Sequence, residues 1–78
     1  MPTVLLEGPY RFFFYSADRD EPLHIHVERE KMLAKFWLSP VRLQYSTGFG
    51  RGELAKLEAL VRERREFFVE SWNDHFAD

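Results

Sequence analysis

His24-Ile25-His26-Val27-Glu28 is the stretch that sets the architecture of this chain. Side chains of a β-strand point alternately to opposite faces. Ile25 and Val27 therefore mark the core face, and His24, His26 and Glu28 line the other. Neighbouring strands must repeat the alternation. Ala34, Phe36 and Leu38 do so on one side, and Tyr10, Phe12 and Phe14 on the other. The opposite face then collects Arg11, Phe13 and Tyr15 beside the histidines, with Lys35 and Trp37 on the following strand. Cross-strand neighbours lie about 4.5–5.5 Å apart, so this face gathers imidazoles, cations, a carboxylate and aromatics. The grouping depends on register, because a one-residue slip reverses every side chain.

Working outward, strands are expected at about 3–6, 10–16, 24–29, 33–38 and 41–46. Gly8-Pro9 marks a turn and Ser39-Pro40 a break. Ser16 to Pro22 is a polar loop in which Asp18 and Asp20 suit Asx-type turns. Glu30-Lys31-Met32 lies near a tight turn. Residues 51–76 read as one long helix, entered through Thr47-Gly48-Phe49-Gly50. Gly50 serves as its cap and Glu53 as half of a capping box. Leu54, Leu57, Val61, Phe68 and Trp72 form its apolar stripe, with Leu60 and Phe67 widening one flank. Glu58–Arg62 has i, i+4 spacing. The expected fold is α+β, an antiparallel sheet of four to five short strands packed on one C-terminal helix, in a single domain over 1–78.

Composition narrows the function. The 78 residues carry a net charge of −2, from eleven basic and thirteen acidic side chains. That balance lacks the basic excess of a phosphate-binding nucleic-acid domain. With no cysteine, thiolate metal sites, Cys nucleophiles and disulfides are all excluded. No leader-like start and no membrane-length apolar run is present, so the cytoplasm is the expected compartment. Eight Phe, three Tyr and two Trp are more aromatic surface than a small core absorbs, which points to a contact surface.

Three readings of the His-x-His strand compete. As a metal site, His24 and His26 could both reach one ion. A flat run along one strand needs a ligand from elsewhere, with Asp18 and Asp20 the nearest extras, so no metal ligand or cofactor is assigned. As a metal-independent ribonuclease, His24, His26, Arg11 and Lys35 would be the catalytic set, supplying acid, base and phosphate-holding cations. RNA is then the substrate, against an acidic overall charge. As a protein-binding surface, Phe13, Tyr15, Glu28 and Trp37 join Arg11 and the histidines in the aromatic and arginine enrichment of interfaces. The bland alternative is that the face is packed over, leaving the histidines as satisfied buried polar groups.

Tyr10-Arg11-Phe12-Phe13-Phe14-Tyr15-Ser16, Pro22-Leu23-His24-Ile25-His26-Val27, Ala34-Lys35-Phe36-Trp37-Leu38, Pro40-Val41 and Trp72-Asn73 together resemble small prokaryotic proteins grouped as domain of unknown function 4160. The resemblance covers nearly the whole chain. It implies a component of a small two-gene module resembling a toxin–antitoxin system, whose partner is a cognate small protein from the adjacent gene. Gly50 stands where that family's pattern has a Ser cap. No catalytic residue carries over, so His24, His26, Lys35 and Trp37 are motif positions only. The leading expectation is a partner-binding protein acting through the outer sheet face, with self-association as a variant. Whether it is an enzyme is left open, with the ribonuclease-type toxin and the metal-binding domain as alternatives.

Overall fold

A computed structural model describes residues 3–77. Five strands, β1 (Thr3–Glu7), β2 (Tyr10–Phe13), β3 (His24–Arg29), β4 (Met32–Leu38) and β5 (Val41–Thr47), form one antiparallel sheet in chain order. Two helices follow, α1 (Arg51–Glu63) and α2 (Arg65–Phe76). The α+β class and the five strand positions agree with the alternation read above. Among the described residues no helix is long and apolar enough to cross a membrane.

Strand parity places the core where expected. Tyr10, Phe12, Phe14, Ile25, Val27, Ala34, Phe36 and Leu38 are all buried, packed against Leu57, Val61, Phe68 and Trp72 of the helices. Phe12 lies on Phe68 with centroids 5.2 Å apart, and Phe14 meets Trp72 edge-on at 5.1 Å. Each buried aromatic removes on the order of 150–250 Å² from water, which is how so short a chain fills a core.

The helical region departs from the single helix expected over 51–76. It breaks at Arg64, whose φ of −101° and ψ of 12° lie outside helical values. The i→i−4 bonds Arg64 N–H to Leu60 O and Phe68 N–H to Arg64 O survive on either side, both at 3.0 Å. Two adjacent arginines hold the junction to separate parts of the sheet. Arg64 pairs with Glu7 of β1 at 2.9 Å, and Arg65 donates to the Leu38 carbonyl at the end of β4 at 2.5 Å. No Gly or Pro signals the break, because tertiary anchors impose it. Phe67, expected to widen the apolar stripe, is instead 45% exposed.

β2 also stops earlier than the expected residue 16. Beyond Phe13 the Asp18 carboxylate accepts the Tyr15 backbone N–H at 2.8 Å, and the Asp18 N–H donates to the Tyr15 carbonyl at 3.0 Å. These local bonds take the groups a strand would have offered to its neighbour. The chain turns into a short 3-10 segment, Ser16–Asp20, which folds back as a strap over the second face of the sheet.

Candidate metal centre

The second face was expected to be displayed to solvent. Its centre is covered instead, while its rim stays open. Across the face run three rows of paired residues, Thr3–Phe13–His26–Lys35–Tyr45, His24–Trp37–Arg42 and Leu6–Arg11–Glu28–Leu33–Thr47. Register therefore brings together the residues that strand parity grouped. The strap then buries their centre: His24 is 0% exposed, Phe13 1%, His26 4% and Lys35 8%.

The closure is specific. Asp18, itself buried, places Oδ2 3.0 Å from Nε2 of His24 and 3.0 Å from Nε2 of His26. The three side chains offer ligand atoms that all lie within 4.8 Å of one another. Glu21 closes the far end of the strap by pairing with Lys35. Aromatic rings wall the centre. Phe13 stacks on His26 at 5.3 Å, Tyr15 meets the same imidazole edge-on at 4.8 Å, and Trp37 and Trp72 flank His24 at 5.8 and 5.1 Å.

Hydrogen bonding sets the chemistry of these nitrogens. Nδ1 of His24 lies 2.8 Å from the Pro22 carbonyl. A carbonyl only accepts, so Nδ1 carries a proton and Nε2 is the nitrogen turned toward Asp18. It lies 3.0 Å from Asp18 Oδ2, poorly aligned for a hydrogen bond. Either a proton on Nε2 or a metal ion shared by both atoms accounts for so close an approach in a buried setting. His26 does bond to Asp18 through Nε2, and its buried Nδ1 has no partner. Asp18, Glu21 and His26 all titrate below their ordinary values. Burial acts to raise the Asp18 carboxyl, but the Tyr15 N–H and the two imidazoles outweigh it. For Glu21 the hydrogen bond from Lys35 dominates. For His26 burial dominates and holds the ring neutral against the pull of Asp18.

A metal fits this donor set. Zinc takes imidazole nitrogen and carboxylate oxygen at about 2.0–2.2 Å, which puts tetrahedral ligand atoms about 3.3 Å from one another. A backbone carbonyl fixing the tautomer of a ligating imidazole is the usual second support of such sites. Three protein ligands leave one position for water or another ligand.

The remaining expected site residues sit around this centre. Arg11 and Glu28 form their own pair at 2.6 Å at the edge of the cluster, with the guanidinium 4.2 Å from the Phe13 ring centroid. Lys35 lies against Trp37, its Nζ 4.8 Å from the ring centroid. Tyr15 is 41% exposed on the strap. His75 stacks near Phe14 at 6.3 Å and belongs to the α2 end of the core. The decisive addition is Asp18, which in sequence looks like a turn residue. Its signal is position: an acidic side chain in a loop that leads directly into the His-x-His strand.

A second polar cluster was also hidden in the sequence. Glu53 accepts from Tyr10 Oη at 2.8 Å and from Arg29 Nε and Nη2 at 2.8 and 2.9 Å. It therefore tethers α1 to β2 and β3 instead of completing a capping box. Gly50 caps through its carbonyl alone, accepting from Leu54 N–H at 2.9 Å.

Comparison with known proteins returns no matching curated protein and no matching solved structure. One family does match, and the match spans β2 through most of α2, including the strap, both histidines and Lys35. Over residues 10–73 the chain fits the family described as Domain of unknown function (DUF4160), and it belongs to that family.

Proposed function

We propose that this protein is a metal-binding domain that holds one divalent transition-metal ion on Asp18, His24 and His26. The supporting observation is the buried convergence of Asp18 Oδ2 on Nε2 of both histidines, with the three ligand atoms within 4.8 Å of one another. His26 completes a three-ligand set from nitrogen and oxygen donors, a combination that suits zinc and its neighbours and not calcium or magnesium. The ion would join the strap to β3 and keep the aromatic face closed. The metal-independent ribonuclease reading needs a histidine acid and base open to substrate, and here both imidazoles lie beneath the strap.

Isothermal titration of metal-free protein with Zn²⁺, and absorption spectroscopy with Co²⁺, test this. One ion per chain with micromolar or tighter affinity is expected, with a tetrahedral Co²⁺ spectrum. Affinity should collapse in Asp18→Ala and in His24→Ala. Binding that is unchanged in both variants would sink the assignment.

A second reading has its own support. Leu6, Tyr15 and Tyr45 leave exposed apolar surface around the covered centre, at 70%, 41% and 41%. Such surface suits the cognate small protein of a toxin–antitoxin-like module in the cytoplasm, bound at the rim of the same sheet face. Co-expression with the product of the adjacent gene, followed by size-exclusion chromatography, tests it. A complex lost in Tyr15→Asp and Tyr45→Asp supports the rim. Separate elution of the two proteins defeats it.

A further inference from the structure

Beyond the metal centre lies a cavity of about 540 Å³ where the β4–β5 turn meets the end of the strap. Its walls are Pro22, Leu23, Trp37, Ser39, Pro40 and Arg42. The volume falls in the range of small-molecule sites. We propose that it is a second binding site, for a small planar ring carrying one anionic group.

Two side chains carry the argument. Trp37 and Arg42 are direct cross-strand partners on the second sheet face, so their side chains rise together. Trp37 is held in place before any ligand arrives. One side of its indole meets the His24 ring, and Lys35 Nζ sits 4.8 Å from its centroid. The rest of the indole lines the cavity beside two prolines and a leucine. A flat, preset aromatic wall of this kind suits stacking with another ring.

Arg42 supplies the charge preference. It is exposed, and among the described residues no carboxylate pairs with it. Arg11, Arg29, Arg62 and Arg64 are each paired with a glutamate. Lys35 is likewise engaged by Glu21. One unpaired guanidinium therefore faces the cavity, and its planar fork matches a carboxylate or phosphate. A cationic ring would meet the positive charge of Arg42. A neutral apolar ring would leave the guanidinium without a partner. A ring with one anionic group satisfies both walls.

The two sources of that chemistry are a nucleoside monophosphate and an aromatic carboxylate. They separate by NMR titration of ¹⁵N-labelled, zinc-loaded protein with adenosine monophosphate, indole-3-acetate and inorganic phosphate. One ring-bearing ligand should move the Trp37 indole N–H and the Ser39 and Val41 amides saturably. Arg42→Gln should weaken that binding at least about tenfold, and Arg42→Lys by less. Arg42 makes no internal pair, so both variants should keep the wild-type spectrum elsewhere. Saturation by the monophosphate identifies the phosphate source, and saturation by indole-3-acetate the carboxylate. The site is refuted if neither saturates or if Arg42→Gln binds as wild type. It is also refuted if inorganic phosphate alone binds as tightly as the monophosphate while Trp37 stays still. Because the metal ligands are untouched by these variants, failure here leaves the zinc titration unaffected.

Discussion

Two polar clusters tie this sheet to the elements that cover it, and they differ in completeness. On the core side, Glu53 joins α1 to Arg29 and Tyr10, and both of its carboxylate oxygens accept from aligned donors. On the strap side, Asp18 joins residues 15–22 to His24 and His26, and two buried ring nitrogens are left without partners. Both clusters tether one element to another. Only the second has ring nitrogens sealed from water without an aligned partner, where an unmade bond costs about 1–3 kcal/mol per group. A tether that needed nothing more would resemble the Glu53 cluster. The Asp18 cluster has the donor composition of an ion site, in which an ion would engage Nε2 of His24 and leave Nδ1 of His26 as it is.

Asp18→Ala should give the largest separation between the two. It removes a ligand, a strap anchor and the acceptor for Tyr15. We expect zinc affinity to fall on the order of 100-fold or more. Stability of the metal-free protein should fall by about 2–4 kcal/mol, read from urea unfolding. Zinc affinity within threefold of wild type (roughly 0.6 kcal/mol) would place the ion elsewhere or nowhere.

Acid should separate them next. In the metal-free protein, burial keeps His26 neutral below its ordinary titration range. The unfolded chain therefore takes up a proton first as pH drops below about 6.5, and stability declines from there. Asp18 is also held below its ordinary value, so its share is present above the unfolded carboxylate value and is lost as pH falls through the folded one. Both groups act in one direction. The urea midpoint should fall between about pH 7 and pH 4, with the upper part of the decline missing in His26→Gln. A wild-type midpoint constant from neutrality to about pH 5 would contradict the neutral, buried His26.

Glu53→Gln should lower the midpoint less than Asp18→Ala does and leave zinc affinity unchanged, since the mutation lies on the opposite side of the sheet. An altered zinc isotherm in this variant would mean that the two clusters are coupled. The smallest effect belongs to Glu58–Arg62, a 3.0 Å pair on the exposed face of α1. Arg62→Ala should change stability by about 0.5 kcal/mol or less, within reach of careful denaturant titrations.

The sequence made the sheet legible because alternation is a local signal. Ile25, Val27, Phe36 and Phe12 declared their face two residues at a time, and all are fully buried. The same parity grouped His24, His26, Phe13, Lys35 and Trp37. It could not say whether that face was open, because the answer lies in how residues 15–22 fold back. Asp18 carries no periodicity, and an aspartate in a polar loop suits a turn as well as a ligand. The break at Arg64 was equally hidden, since Glu7 and the Leu38 carbonyl impose it from distant parts of the chain.

The short spacing of the centre has a consequence for the order of folding. Asp18 and His26 are only eight positions apart, and His24 lies between them. Closing so small a loop costs little chain entropy compared with joining distant strands. An ion could therefore gather these three side chains before β1, β5 or either helix has docked. The segment between β2 and β3 would become an early fixed point around which the rest of the meander registers. Refolding started with metal present should then be faster than refolding with metal added afterwards, even where the final stability is the same.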